Sequence, residues 1–195
     1  ATQRAKALAE QVNALASKEI PAQVPASAKE AGATLPQAQE SAKQAADQLT
    51  NGQPSDLQQR VASAEAPLRE ASKQLDTAAK TAQKAVDSHR TREQAAKGEL
   101  ARAQAAVSNA QRTFDQAQQR AAQAVDEPTQ KQAAQEREAA QQALQEARNF
   151  AQEMQAAQQS ASQNLQSAQA TQQQLQQASS KAAQLARDAR RSEEH

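Results

Sequence analysis

Lanes of mostly small apolar residues spaced seven apart run from residue 68 to residue 189, and they constrain the fold of this chain more than any other feature. Before Val125-Asp126-Glu127-Pro128-Thr129, one lane reads Leu68, Leu75, Ala82, His89, Ala96, Ala103, Ala110, Ala117 and Ala124. Its companion, four residues on, reads Ser72, Ala79, Val86, Glu93, Leu100, Val107, Phe114 and Ala121. After that break the lane is Ala133, Ala140, Ala147, Met154, Ala161, Ala168, Leu175, Ala182 and Ala189. Ala143, Phe150, Ala157, Ala178 and Leu185 lie three residues on and form its expected companion. A spacing of seven held this long specifies helices in a left-handed supercoil, because under-winding to 3.5 residues per turn keeps one stripe facing its partner. One short proline-containing break between the tracts specifies an antiparallel hairpin, with helices over 68–125 and 129–191.

Composition narrows the function classes. The 23 basic and 22 acidic residues nearly cancel, to +1, and are scattered rather than blocked, so no electrostatic footprint for nucleic acid is present. Phe114 and Phe150 are the only aromatic residues, too few for base-stacking platforms or a membrane-interface belt. Only 37% of residues are hydrophobic, and many of those are Ala. That suits an elongated helical structure burying narrow stripes better than a globular core of large side chains. Ala, Gln, Glu, Lys and Arg are strong helix formers, which argues against disorder despite the polar, low-complexity Gln tracts. There is no Cys, hence no disulfide and no thiolate site. No apolar run approaches the roughly 18 residues of a membrane span. The chain starts at Ala1 rather than Met, the start expected of a processed product.

Residues 1–66 read as short, proline-punctuated helices packing on the hairpin base, and 67–195 as the hairpin itself. Ala5, Leu8, Val12 and Leu15 share one face of a helix over 1–20, which Pro21 and Pro25 end. A short helical piece follows over 26–34. Ala38, Ala42, Ala45 and Leu49 then mark a helix over 37–50, stopped at Asn51-Gly52-Gln53-Pro54 with Gly52 suited to a left-handed cap. The next helix starts near Ser55 and meets Pro67, where a kink or a break of a few residues is expected. Folding the helix at 37–50 antiparallel to 55–66 puts residue 38 beside 67. The hairpin fold puts Phe114 near Leu144, and Leu100 near Met154. Asp126 or Glu127 serves the amino end of the last helix, with Pro128 in its first turn. The expected fold is all-α: an Ala-rich antiparallel coiled-coil hairpin with shorter amino-terminal helices making a bundle at one end.

Chemistry is sparse. His89 and Glu93 lie one helical turn apart in core lanes, half of a metal site by type. The opposite helix should offer Ser162, Gln166 and Gln169, which are poor metal ligands, so a hydrogen-bonded polar layer that sets register or marks a hinge is the favoured reading. Gly98, in mid-helix, admits close approach by the amino-terminal helices, marks a flexible point, or is a tolerated surface glycine. Asp87, Ser88 and His89 are consecutive on a helix and point apart, so they form no triad. Arg187, Arg190 and Arg191 complement the carboxyl-terminal helix dipole. No catalytic, cofactor-binding or metal-binding residue is assigned, and no cofactor is expected.

These alanine- and glutamine-rich tracts resemble the coiled-coil proteins that insects secrete, over roughly residues 68–190. Coiled-coil domains of bacterial toxins and surface proteins have similar composition. The resemblance implies an extracellular, non-enzymatic protein, part of a secretion or coating. The expected function is thus a secreted structural or interaction protein, a helical rod or bundle that self-associates through leftover apolar stripes or displays polar faces to a partner protein. The alternative resembles insect apolipophorin, an exchangeable lipid- or small-ligand-binding bundle. An Ala-dominated stripe disfavours it, since lipid insertion usually relies on Leu, Phe and Trp.

Overall fold

A computed structural model describes residues 2–193. Among the described residues the order is α1 (Thr2–Ala14), a π-helical turn (Leu15–Glu19), a 3-10 segment (Ala26–Thr34), α2 (Leu35–Thr50), a 3-10 turn (Pro54–Asp56), α3 (Leu57–Gln123) and α4 (Glu127–Glu193). The chain is all-α, and α3 and α4 pack against each other as an antiparallel hairpin. It divides into two compact units: Ala1–His89 with Asn164–His195, and Arg90–Gln163.

The first unit is a helical bundle. Leu8, Val12 and Leu15, Leu35 and Leu49, Val61, Leu68 and Leu75, and Leu175 and Leu185 join one apolar core, with alanines between them. The amino-terminal helices therefore cover the hairpin base, as their unpartnered apolar faces require. The expected helix over 1–20 is α-helical only to Ala14; the Ile20 N–H then reaches five residues back to the Leu15 carbonyl, 3.2 Å away. The wider turn brings both Leu15 and Ile20 into the core, at 0% and 3% exposure. The Thr34 hydroxyl donates to the Gln74 carbonyl (3.4 Å), and Ser41 to the Gln74 side chain (3.2 Å). With Thr34 and Ser41 both bonded to Gln74, Ala38 lies farther along α3 than the expected neighbour, Pro67. Gly52 has φ +148°, and a Cβ there would come 2.9 Å from Arg60 Cδ, so only glycine makes this turn without strain.

Of the two outcomes expected at Pro67, the break does not occur. α3 begins at Leu57 and runs through the proline, so the boundary expected at 66/67 falls inside one helix. Val61, Ala64, Leu68 and Ala71, on both sides of Pro67, are buried in the same core. Fully burying Val61 and Leu68 contributes roughly 1.5–3 kcal/mol each, which offsets the roughly 3 kcal/mol cost of a proline within a helix. Farther along, Ser72 and Ser179 exchange hydrogen bonds: each hydroxyl donates to the other's carbonyl, at 3.2 and 3.1 Å. Such short side chains reach an opposing backbone only where two helices lie unusually close, which an alanine-rich seam permits.

The second unit is a bare pair of helices. α3 stops at Gln123 and α4 starts at Glu127, each two residues earlier than expected. Asp126 is the amino cap: its carboxylate accepts from the Thr129 N–H (2.9 Å) and from the Thr129 hydroxyl. Its carbonyl accepts from the Gln130 N–H at 2.9 Å. Pro128, in the first turn, lacks only an N–H that has no helical partner there. Ala103, Ala117, Ala133, Ala140 and Leu144 are buried in the seam. Arg120–Glu136 (3.7 Å) and Arg148–Gln111 (2.9 Å) cross it as rungs.

The expected companion lane on α4 is only half right. Ala178 and Leu185 are buried in the first unit, but Ala143, Phe150 and Ala157 are exposed in the second. There the seam takes the lane four residues on: Leu144 is buried, and Ala151 and Gln158 are half-buried. A bundle covers a wide stripe of each helix, whereas a two-helix seam covers only a narrow one.

The two rungs put Phe114 and Leu144 at about the same level across the seam. A double-mutant cycle between Phe114→Ala and Leu144→Ala should therefore give a coupling of roughly 0.5–1 kcal/mol in denaturant unfolding, and simple additivity would contradict this register. A Cβ at Gly98 would meet nothing within 4 Å. The glycine thus admits no neighbour, and Gly98→Ala should stabilise the helix by about 0.5–1 kcal/mol, read as a raised denaturation midpoint.

Candidate interaction surface

His89 and Glu93 have different neighbours. In the first unit, His89 Nε2 lies 2.7 Å from the Ser27 carbonyl oxygen, so this nitrogen carries the proton and donates. The ring thus ties α3 to the 3-10 segment Ala26–Thr34. The Ser27 hydroxyl beside this bond is buried without a hydrogen-bond partner. In the second unit, Glu93 pairs with Lys97 one turn on, at 2.6 Å. Its carboxylate lies low on the helix while the ammonium reaches water. Among the described residues, no group of three or more His, Cys, Asp or Glu side chains could hold a metal ion.

The second unit carries a more informative surface. Its rungs identify the two flanks of the seam, because residues seven apart share a face in a coiled coil. Stepping by sevens from Arg120 reaches Thr113 and Ala106; from Glu136 it reaches Ala143, Phe150 and Ala157. All five are exposed. Stepping likewise from Gln111 reaches Gln104 and Gln118, and from Arg148 it reaches Gln141 and Gln155, also exposed. One flank is thus largely apolar between its charged ends, and the other is glutamine with one arginine.

Phe150 is 45% exposed at the middle of the apolar flank. Glu146 and Glu153, four residues before and three after, share its face of α4. Among the described residues neither belongs to an ion pair. Arg102 occupies the corresponding edge of α3, 80% exposed, with Glu99 at 2.9 Å. By spacing alone Ala143, Phe150 and Ala157 form a lane of the seam; the cross-seam rungs put that lane on a flank instead. Val125, at the hairpin turn, is 91% exposed.

The fold and this surface define a helical bundle with a long helical hairpin. No protein-family model matches the chain, and neither a curated protein nor a solved structure matches it. Among the described residues, no helix is long and apolar enough to cross a membrane.

Proposed function

We propose that this is a non-enzymatic, secreted structural or interaction protein whose second unit presents a helical face to another protein surface. The observation that carries the reading is the bareness of Arg90–Gln163: two helices with a mainly alanine seam and an aromatic side chain left outside it. Burial contributes about 25 cal/mol per Å² of apolar area, so an alanine seam holds two helices weakly and gains much from further cover. Secretion follows from the resemblance to secreted alanine- and glutamine-rich proteins.

Two measurements test this. In liposome flotation with zwitterionic and anionic vesicles, the full chain should stay in the dense fraction; strong flotation would replace this reading with the lipid-binding bundle. In hydrogen exchange on dilute protein, residues 68–86 and 175–189 should exchange slowly and 105–150 faster. Equal protection along both helices would mean that the second unit needs no partner, and would count against the proposal.

A further inference from the structure

We infer that the apolar flank of the second unit is a docking face for a second copy of this chain, giving a four-helix bundle with both hairpin turns at the same end. The inference rests on the reading of that unit as an interaction face and names its partner. Three observations support it.

The first is one-sidedness. Ala106, Ala143, Phe150 and Ala157 lie exposed on one flank, where small residues let another helix approach and Phe150 supplies one large anchor. The other flank offers glutamines, whose amides lose water if buried unpaired.

The second is charge. On and beside this flank α3 presents Arg102 and Arg120 with Glu99, and α4 presents Glu136, Glu146 and Glu153, all exposed. A surface that carries both signs side by side is self-complementary under a two-fold operation.

The third is what the charges select. A two-fold axis along the helices lays α3 of each copy on α4 of the other. That sets Arg102 opposite the second copy's Glu153 and encloses Phe150 and its counterpart. An axis across the helices would stack α3 on α3 and α4 on α4, gathering the unpaired Glu146 and Glu153 of both copies. Such like-charge juxtaposition disfavours that packing.

Sedimentation equilibrium over a concentration series of the full chain should show a reversible monomer–dimer equilibrium. Phe150→Glu should weaken the dimer at least about tenfold, as for a charge placed at a desolvated anchor. Gln104→Glu, on the opposite flank, should leave it unchanged. Arg102→Glu and Glu153→Arg should each weaken association, and the double variant should restore it. Circular dichroism monitors folding, and Ala143→Arg is a second probe should Phe150→Glu lose helix. The chain has no cysteine of its own, so engineered thiols report cleanly. In an equal mixture of Thr113→Cys and Ala143→Cys chains, oxidation should cross-link unlike chains in preference to like ones.

A monomer at every concentration, a dimer indifferent to Phe150→Glu, or preferential like-with-like cross-linking would each overturn the inference. A monomer that also fails to float with liposomes would leave the interaction reading standing, with a different partner.

Discussion

Replacing Leu75 or Leu175 by alanine should destabilise the first unit by about 2–5 kcal/mol in either case, toward the upper end of that range. Both side chains are fully buried, at 0% exposure, in one core that includes Leu68, Val61 and Leu185. The cost of such a truncation is the lost transfer free energy plus a term for the cavity left behind, and the second depends on whether neighbours can collapse into the space. Here many neighbours are alanines, including Ala71, Ala78, Ala178 and Ala182. A methyl group has no rotamer with which to move into a hole, so the cavity should stay largely open. The check is denaturant unfolding followed by helical circular dichroism. A loss below about 1 kcal/mol would mean that this core is not packed as described.

Pro67→Ala should act in the opposite direction, stabilising the chain by about 2 kcal/mol. The substitution returns an N–H that can donate to the Ser63 carbonyl and removes a ring that crowds the preceding turn, a gain of roughly 3 kcal/mol in a helix interior. Against that, alanine gives the unfolded chain more freedom than proline, a loss of about 0.4–1 kcal/mol. Because α3 runs unbroken through this position, no rearrangement is needed to collect the gain. No rise in the unfolding midpoint would show that the helix already relieves the proline locally.

Much of this fold was legible in the sequence, and the exceptions share a cause. The heptads announced the hairpin, Asp126 and Pro128 announced the start of α4, and Leu8, Val12 and Leu49 required a covered base. All of these are local or periodic signals. At Pro67 the helix does not break, because burial on both sides of the proline outweighs the local rule, and no window of sequence reveals that burial. Phe150 was placed in the seam because residues three and four after a core position are equally good companions by spacing. The choice fell to Leu144, its neighbouring lane, once the seam was only two helices thick. His89 lay in a core lane by count, yet its partner is the Ser27 carbonyl, a backbone atom with no sequence signature. The same limit applies to the candidate surface: spacing puts Ala143, Phe150 and Ala157 in one lane, but that this lane lies outside the seam, on a flank with Ala106 and Thr113, needs Arg120–Glu136 and Gln111–Arg148.

The hydrogen bonds exchanged by Ser72 and Ser179 bear on a hazard peculiar to seams of this composition. A helix studded with alanine every seventh residue looks nearly the same after being slid along its axis by seven, so many misaligned pairings bury almost equal area. Along the alanine stretches, dispersion and burial scarcely distinguish one alignment from the next. The serine pair breaks that translational degeneracy. A slide of one heptad would set Ser72 against Gln172 or Ala186 in place of Ser179, and neither side chain can return the same pair of bonds across so small a gap. Two hydroxyl groups thus work as a ruler's zero mark, giving an otherwise repetitive pair of helices a single origin from which every other contact is counted.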